Sequence, residues 1–280
     1  MAEGPVDSNQ SGQPRWVPIL LLVVIGASIL LRVSQVGQPL LGKHRFRQAQ
    51  TAITVWSFTE DGVHPLAYQT PVFGPPWRAP MEFPTFQIAA ASAAALGLEI
   101  DTACRLSNLV FFYLSAGLLF MLCRLLAPGS RVAELAVVFF CWLPFNIYWS
   151  VQSMIDFAAV AFALGYAAAF IKWLEGPTRP LWFFATLVAG ILAYLTKVTT
   201  MLSLVPLIGT LILFTVFRQI RSATGLATFV RERVVFLAGA TVLVLAPVLA
   251  EAAWVAYCDH VKEGSPFTVW LTSGELGRWN

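Results

Sequence analysis

Residues 234–257 read VVFLAGATVLVLAPVLAEAAWVAY, an apolar run broken by a single carboxylate, Glu251. A run of that length crosses the ~30 Å hydrocarbon core of a bilayer, for which about 20 residues suffice. It decides the fold because it is not alone. Apolar runs of near-spanning length also lie at 16–36, 106–126, 132–149, 154–174, 181–196 and 199–217. The chain of 280 residues is 58% hydrophobic and 12% charged, about half the charge of an ordinary soluble domain. The expected fold class is all-α, a polytopic transmembrane helical bundle of seven spans. Within that bundle Glu251 is costly in lipid and is expected to face the interior, packed against a polar neighbour.

Working outward from the last span, the loop at 218–233, RQIRSATGLATFVRER, carries Arg218, Arg221, Arg231 and Arg233. The excess of cations in cytoplasmic loops places it inside. That register puts Arg124, Arg131, Lys172, Arg179 and the N-terminal Arg15 inside as well, and the long segment 37–105 outside. Residues 1–15, rich in Gly, Pro, Ser, Gln and Asn, read as a disordered cytoplasmic leader. The run at 16–36 is too long for a signal-peptide core and lacks a small-residue cleavage site, so it reads as a retained anchor. Residues 16–257 then form the transmembrane domain and 258–280 an outer tail. An eighth span at 84–98, PTFQIAAASAAALGL, is the alternative count. It would reverse the phase between the chain ends, and at about 15 residues it is short for a span. It is expected to lie in the interface or pack on the bundle. Cys104, Cys123, Cys141 and Cys258 are widely spaced with no Cys-x-x-Cys pattern, which indicates neither a disulfide framework nor a zinc site.

The outer segment opens with HRFRQAQTA, residues 44–52. Over 46–61, Phe46, Ala49, Ile53 and Trp56 recur at helical spacing, while Arg47, Gln50, Thr51 and Thr54 share another side. The pattern predicts an amphipathic helix along the membrane surface that presents Arg47 and Gln50, one turn apart, to whatever the outer segment covers. Glu60-Asp61-Gly62 reads as its end. A guanidinium donates two parallel hydrogen bonds to an oxyanion, and Lys197 in YLTKVTT adds a point charge. Arg45, Arg47, Gln48, Lys197 and His44 are therefore the candidate phosphate-binding residues. Serving lipid headgroups is the plainer role for any one of the exposed cations. Glu82 and Asp156 are the candidate catalytic carboxylates, able to act as a base or to hold a divalent cation such as Mg or Mn. Capping a helix N-terminus is the plainer role for Asp156.

FRQAQTA, EFPTFQ, CRLSN, QSMID and YLTK, in that order, resemble the bacterial branch of the GT-C glycosyltransferases, whose first outer loop reads W-R-Q-A-D-T-A. These are relatives of protein mannosyltransferases and lipid A aminoarabinose transferases. The resemblance covers about residues 15–200. It implies transfer of a sugar from a polyprenyl-phosphate carrier to a glycan, lipid or protein acceptor by an inverting single displacement. It also implies an integral protein of the bacterial plasma membrane with its site on the outer face; no nucleic-acid partner is expected. By position, Glu82 and Asp156 match the family's acidic residues and Lys197 the lysine near the carrier phosphate. Two residues depart from the pattern. Gln50 stands where the family has aspartate, and an amide can neither accept a proton as a base nor supply charge to a metal. Val198 replaces the glycine of T-K-G. The chain also ends at GELGRWN soon after its seventh span, whereas such enzymes continue through more, so the resemblance implies an N-terminal fragment. Two other readings compete: a transporter of lipid-linked glycans, against which the absence of repeated halves argues, and a silent scaffold, which Gln50 favours.

Overall fold

A computed structural model describes residues 16–38, 42–176, 179–222 and 234–276. The leader 1–15, most of the four-arginine loop and the last four residues lie outside the described residues. Those described form helices α1 (Trp16–Val33), α2 (Arg45–Asp61), α3 (Thr85–Ala94), α4 (Ile100–Leu126), α5 (Val132–Trp142), α6 (Pro144–Trp149), α7 (Asp156–Glu175), α8 (Pro180–Leu202), α9 (Val205–Ser222) and α10 (Val234–Glu263), with short turns of helix at Val269–Leu271 and Ser273–Leu276. No strand occurs among them. The molecule is an all-helical membrane bundle. Helices α4, α7, α8 and α10 are long and apolar enough to cross a membrane, and shorter apolar helices occupy Ile19–Val33, Val132–Trp142 and Val205–Phe217. These seven fall on the seven expected runs.

The boundaries differ where a residue's backbone chemistry outweighs its polarity. The run 132–149 is two helices, because Pro144 has no N–H to continue α5 and pushes Leu143 to φ −60°, ψ 125°. The Asn146 side chain bridges the break by donating to the Phe140 carbonyl at 2.9 Å. The span expected to stop at 196 continues to Leu202, with one non-helical residue, Lys197, inside it. Segment 84–98 yields only the ten-residue α3, about 15 Å long and half of a bilayer core. It packs on α2 and α4.

α7 is the central helix. In its most apolar stretch 67% of residues are buried, against 22–28% in the other three long helices, so it is covered by protein where they face lipid. Its run of buried alanines (Ala158, Ala159, Ala163, Ala167, Ala168) lets α4 and α8 approach closely. Gly190 of α8 does the same against α10: a Cβ there would stand 2.8 Å from the Tyr166 ring and 3.0 Å from Pro247. Pro247 cannot donate to the Leu243 carbonyl one turn back, and the Tyr166 hydroxyl donates to that carbonyl instead, at 3.3 Å. Arg32, inside the first span, is fully buried. It donates to Ser150 Oγ at 2.8 Å, Ser28 Oγ at 2.6 Å and the Cys141 carbonyl at 2.5 Å, tying α1 to α5 and to the turn after α6.

Candidate active site at one end of the bundle

α2 forms as its spacing predicts and ends at Gly62, whose φ of 86° suits a residue without Cβ. Its polar stripe faces the protein: Gln48, Gln50, Thr51, Thr54 and Ser57 are buried, while Phe46 and Trp56 are exposed. Arg47 is thereby aimed at the segment before α3. Its Nη2 donates to Glu82 Oε2 at 2.6 Å and its Nη1 to Gln50 Oε1 at 2.9 Å. Burial works against the guanidinium charge, but Glu82, by charge and hydrogen bond, outweighs it and holds the Arg47 pKa above its ordinary value.

Glu82 is locked from several sides. Its other oxygen, Oε1, accepts from Gln87 Nε2 at 3.0 Å, and its carbonyl accepts from the Tyr68 hydroxyl at 2.9 Å. Full burial, then the nearby Glu82 charge, lift the Tyr68 pKa well above its ordinary value, keeping it a proton donor. Trp254 Nε1 of α10 donates to the Met81 carbonyl at 2.9 Å. The Phe83 N–H donates to the Leu195 carbonyl of α8 at 2.9 Å, and Thr85 and Thr196 share a hydroxyl contact at 2.8 Å.

The second carboxylate stands differently. Asp156 begins α7, and Lys197 Nζ donates to its Oδ1 at 2.5 Å. These side chains are 38% and 39% exposed, against 10% for Glu82, so they remain open to a ligand. Two cavities meet at this pair. One, of about 470 Å3, is lined by Arg47, Glu82, Asp156, Lys197 and Glu251; the other, of about 450 Å3, by His44, Phe140, Phe145, Trp149, Asp156 and Lys197. The first is charged and the second mainly aromatic and aliphatic.

Of the residues singled out in the sequence, Arg47, Glu82, Asp156 and Lys197 thus share one cavity. His44 lines the adjoining one, against Trp149 at 5.3 Å between ring centroids. Gln50 contacts Arg47 and, through Nε2, the Met81 sulfur at 3.3 Å. Arg45 is exposed and lines neither cavity. Gln48 is fully buried and serves the backbone: it donates to the Lys43 carbonyl at 2.7 Å and accepts the Ser153 N–H at 3.2 Å. Arg105, the last residue of the segment expected outside, is a buried member of α4 that donates to the Val151 carbonyl at 2.5 Å. Asn108, one turn on, donates to the Trp149 and Gln152 carbonyls at 2.8 Å each. Arg105, Asn108 and Gln48 thus hold the turn that delivers Asp156. Gln87, Tyr68 and Trp254 carried no assigned role in the sequence. Gln87 was within reach, since it lies in EFPTFQ; Trp254 sits 173 positions from its partner and gave no local signal.

For a divalent cation the residues offer little. Among the described residues no three His, Cys, Asp or Glu side chains gather. Glu82 and Asp156 each already hold a cationic side chain. No family model, curated protein or solved structure matches the chain.

Proposed function

We propose that the chain is a GT-C-type glycosyltransferase, moving a sugar from a polyprenyl-phosphate carrier to an envelope acceptor on the outer face of a bacterial plasma membrane. The observation that carries this reading is the half-open Lys197–Asp156 pair at the junction of a charged cavity and an apolar one. A lipid phosphate needs that combination: an ammonium for the phosphate, apolar walls for the chain and polar walls for the head.

The chemistry follows from the pair. An arriving phosphate competes with Asp156 for Lys197 and leaves the carboxylate free. Asp156 then takes the proton of the acceptor hydroxyl as its oxygen bonds to the sugar's anomeric carbon, and the bond from that carbon to the phosphate oxygen breaks. Lys197 holds the phosphate monoester that departs with one more negative charge. Glu82, with both oxygens engaged, positions Arg47 rather than exchanging protons. Gln50, which supplies no charge, favours a second reading, a protein that binds the donor without turning it over.

Full-length protein in lipid nanodiscs, given a polyprenyl-phosphate sugar, is expected to release polyprenyl phosphate. Asp156→Asn should lower that rate by about 10²–10⁴-fold, the span of one positioned base. Lys197→Gln should weaken binding of the carrier by about 1–3 kcal/mol. Binding without release in the natural chain, with release appearing in Gln50→Asp, would favour the silent reading. No binding of any such lipid would remove both.

A further inference from the structure

The charged cavity holds five acidic or basic side chains besides the Tyr194 phenol, and four of the five are paired, Arg47 with Glu82 and Lys197 with Asp156. The fifth is Glu251. Its Oε2 is shielded from solvent and has no hydrogen-bond partner among the described residues. A carboxylate oxygen deep in a span without a donor is expensive, and a group kept for packing is ordinarily given one. The position is fixed: Trp254 and Cys258, at the helical spacing that shares a face with Glu251, both touch the Met81 carbonyl just ahead of Glu82.

We infer that Glu251 receives hydroxyl groups of the sugar on the lipid-linked donor, and so is a specificity-determining residue of this cavity. The inference rests on the proposed donor. A carboxylate repels phosphate and accepts hydrogen bonds from hydroxyls, so the two ends of the ligand head sort themselves. The phosphate goes to Lys197 and the hydroxyl-bearing ring toward Glu251. Glu251 lines the cavity and is only half-buried, so a turn of its carboxyl group brings the unpartnered oxygen to a ligand hydroxyl, and the site discriminates against a head that lacks one.

The test compares bare polyprenyl phosphate with polyprenyl-phosphate mannose, glucose and arabinose, binding to the full chain in nanodiscs. The natural protein should prefer at least one sugar-bearing lipid over the bare one by about 10-fold or more, the scale of a hydrogen bond to a charged group. Glu251→Leu should bring that ratio near unity by weakening the sugar-bearing lipids, while the bare lipid, relieved of a repelling carboxylate, binds at least as tightly as before. Glu251→Gln, which keeps an acceptor oxygen, should retain part of the preference. The thermal midpoint of Glu251→Leu should stay level or rise, since a lone buried carboxyl is removed. A ratio untouched by Glu251→Leu, or a lowered midpoint with the ratio intact, overturns the inference and makes Glu251 structural. Bare lipid bound without preference for any sugar overturns it too, and leaves the phosphate grip standing. Neither kind of lipid bound removes the proposed donor along with it.

Discussion

Two ion pairs of the same chemical type sit on one cavity, and their exposure sets their work apart. Arg47–Glu82 is mostly covered and tied to Gln50, Gln87 and Tyr68, so losing one partner strands a charge away from water. Glu82→Gln and Arg47→Gln should each destabilise the folded chain by about 1–3 kcal/mol, with a double mutant costing less than the sum. Lys197–Asp156 is half open, and such pairs contribute about 0–1 kcal/mol. Lys197→Gln and Asp156→Asn should therefore leave the unfolding midpoint in place while weakening carrier binding and slowing release, respectively. If all four variants shift the midpoint alike, the division of labour fails. At this scale the sequence told residue type better than direction. Arg47 and Gln50, three apart, share a helix face as their spacing implies, and the fold turns that face toward Glu82 and Met81. Gln48 adjoins Arg47 in the chain but points about 100° around the helix, so it grips the backbone of another loop rather than the cavity. Nothing in the run of letters could fix that phase.

Elements were legible wherever a period existed, and misjudged wherever a single backbone group decided. The apolar stripe of α2 was evident, but period alone cannot say whether a stripe faces protein or lipid. Here the polar side turns inward, where Arg47 meets Glu82 and Thr54 meets Thr70. Pro144 splits a run that hydrophobicity left whole. Lys197, at φ −167° and ψ 97°, interrupts α8 without ending it, which a count of apolar residues reads as a stop. Contacts between elements were invisible, among them the close passage of α8 over α7 and α10 at Gly190. That contact carries a prediction. The Tyr166 ring is buried and cannot swing away, so Gly190→Ala overpacks the crossing. Its better helix propensity gains only about 1 kcal/mol, and the overpacking costs about 1–3 kcal/mol. The variant should unfold at lower temperature in detergent. Gly209→Ala, with nothing within 4 Å, should be neutral or stabilising. A raised midpoint for Gly190→Ala would mean that the helices stand further apart than the structure has them.

At the scale of the whole molecule, the charges sort to two ends. Arg47, Glu82, Asp156 and Lys197 gather where α7 begins and α8 breaks, while Arg124–Glu134 and Lys172–Glu175 lie at the turns where α4 and α7 end. The arginines of 218–233, from the end of α9 to the start of α10, belong by chain order with the second group, and the predicted register makes that end cytoplasmic. Which end faces outward decides whether a lipid-linked sugar displayed on the outer leaflet can reach the cavity, so the functional proposal stands on it. The readout is chemical. In a background with Cys123, the one half-buried native thiol, changed to Ser, a cysteine is placed at exposed Glu60, in the last turn of the helix that carries Arg47. A second variant carries Gly225→Cys in the arginine loop. A membrane-impermeant maleimide added to intact cells should label Glu60→Cys and spare Gly225→Cys until the membrane is permeabilised. Cys104, Cys141 and Cys258 are buried and should stay silent throughout. The reverse pattern would put the cavity in the cytoplasm. The Lys197–Asp156 pair would then need a donor from the inner leaflet, and the outer-face transfer reaction would be lost. Labelling of both sites from outside would break the alternation of spans itself, and reopen the count at 84–98.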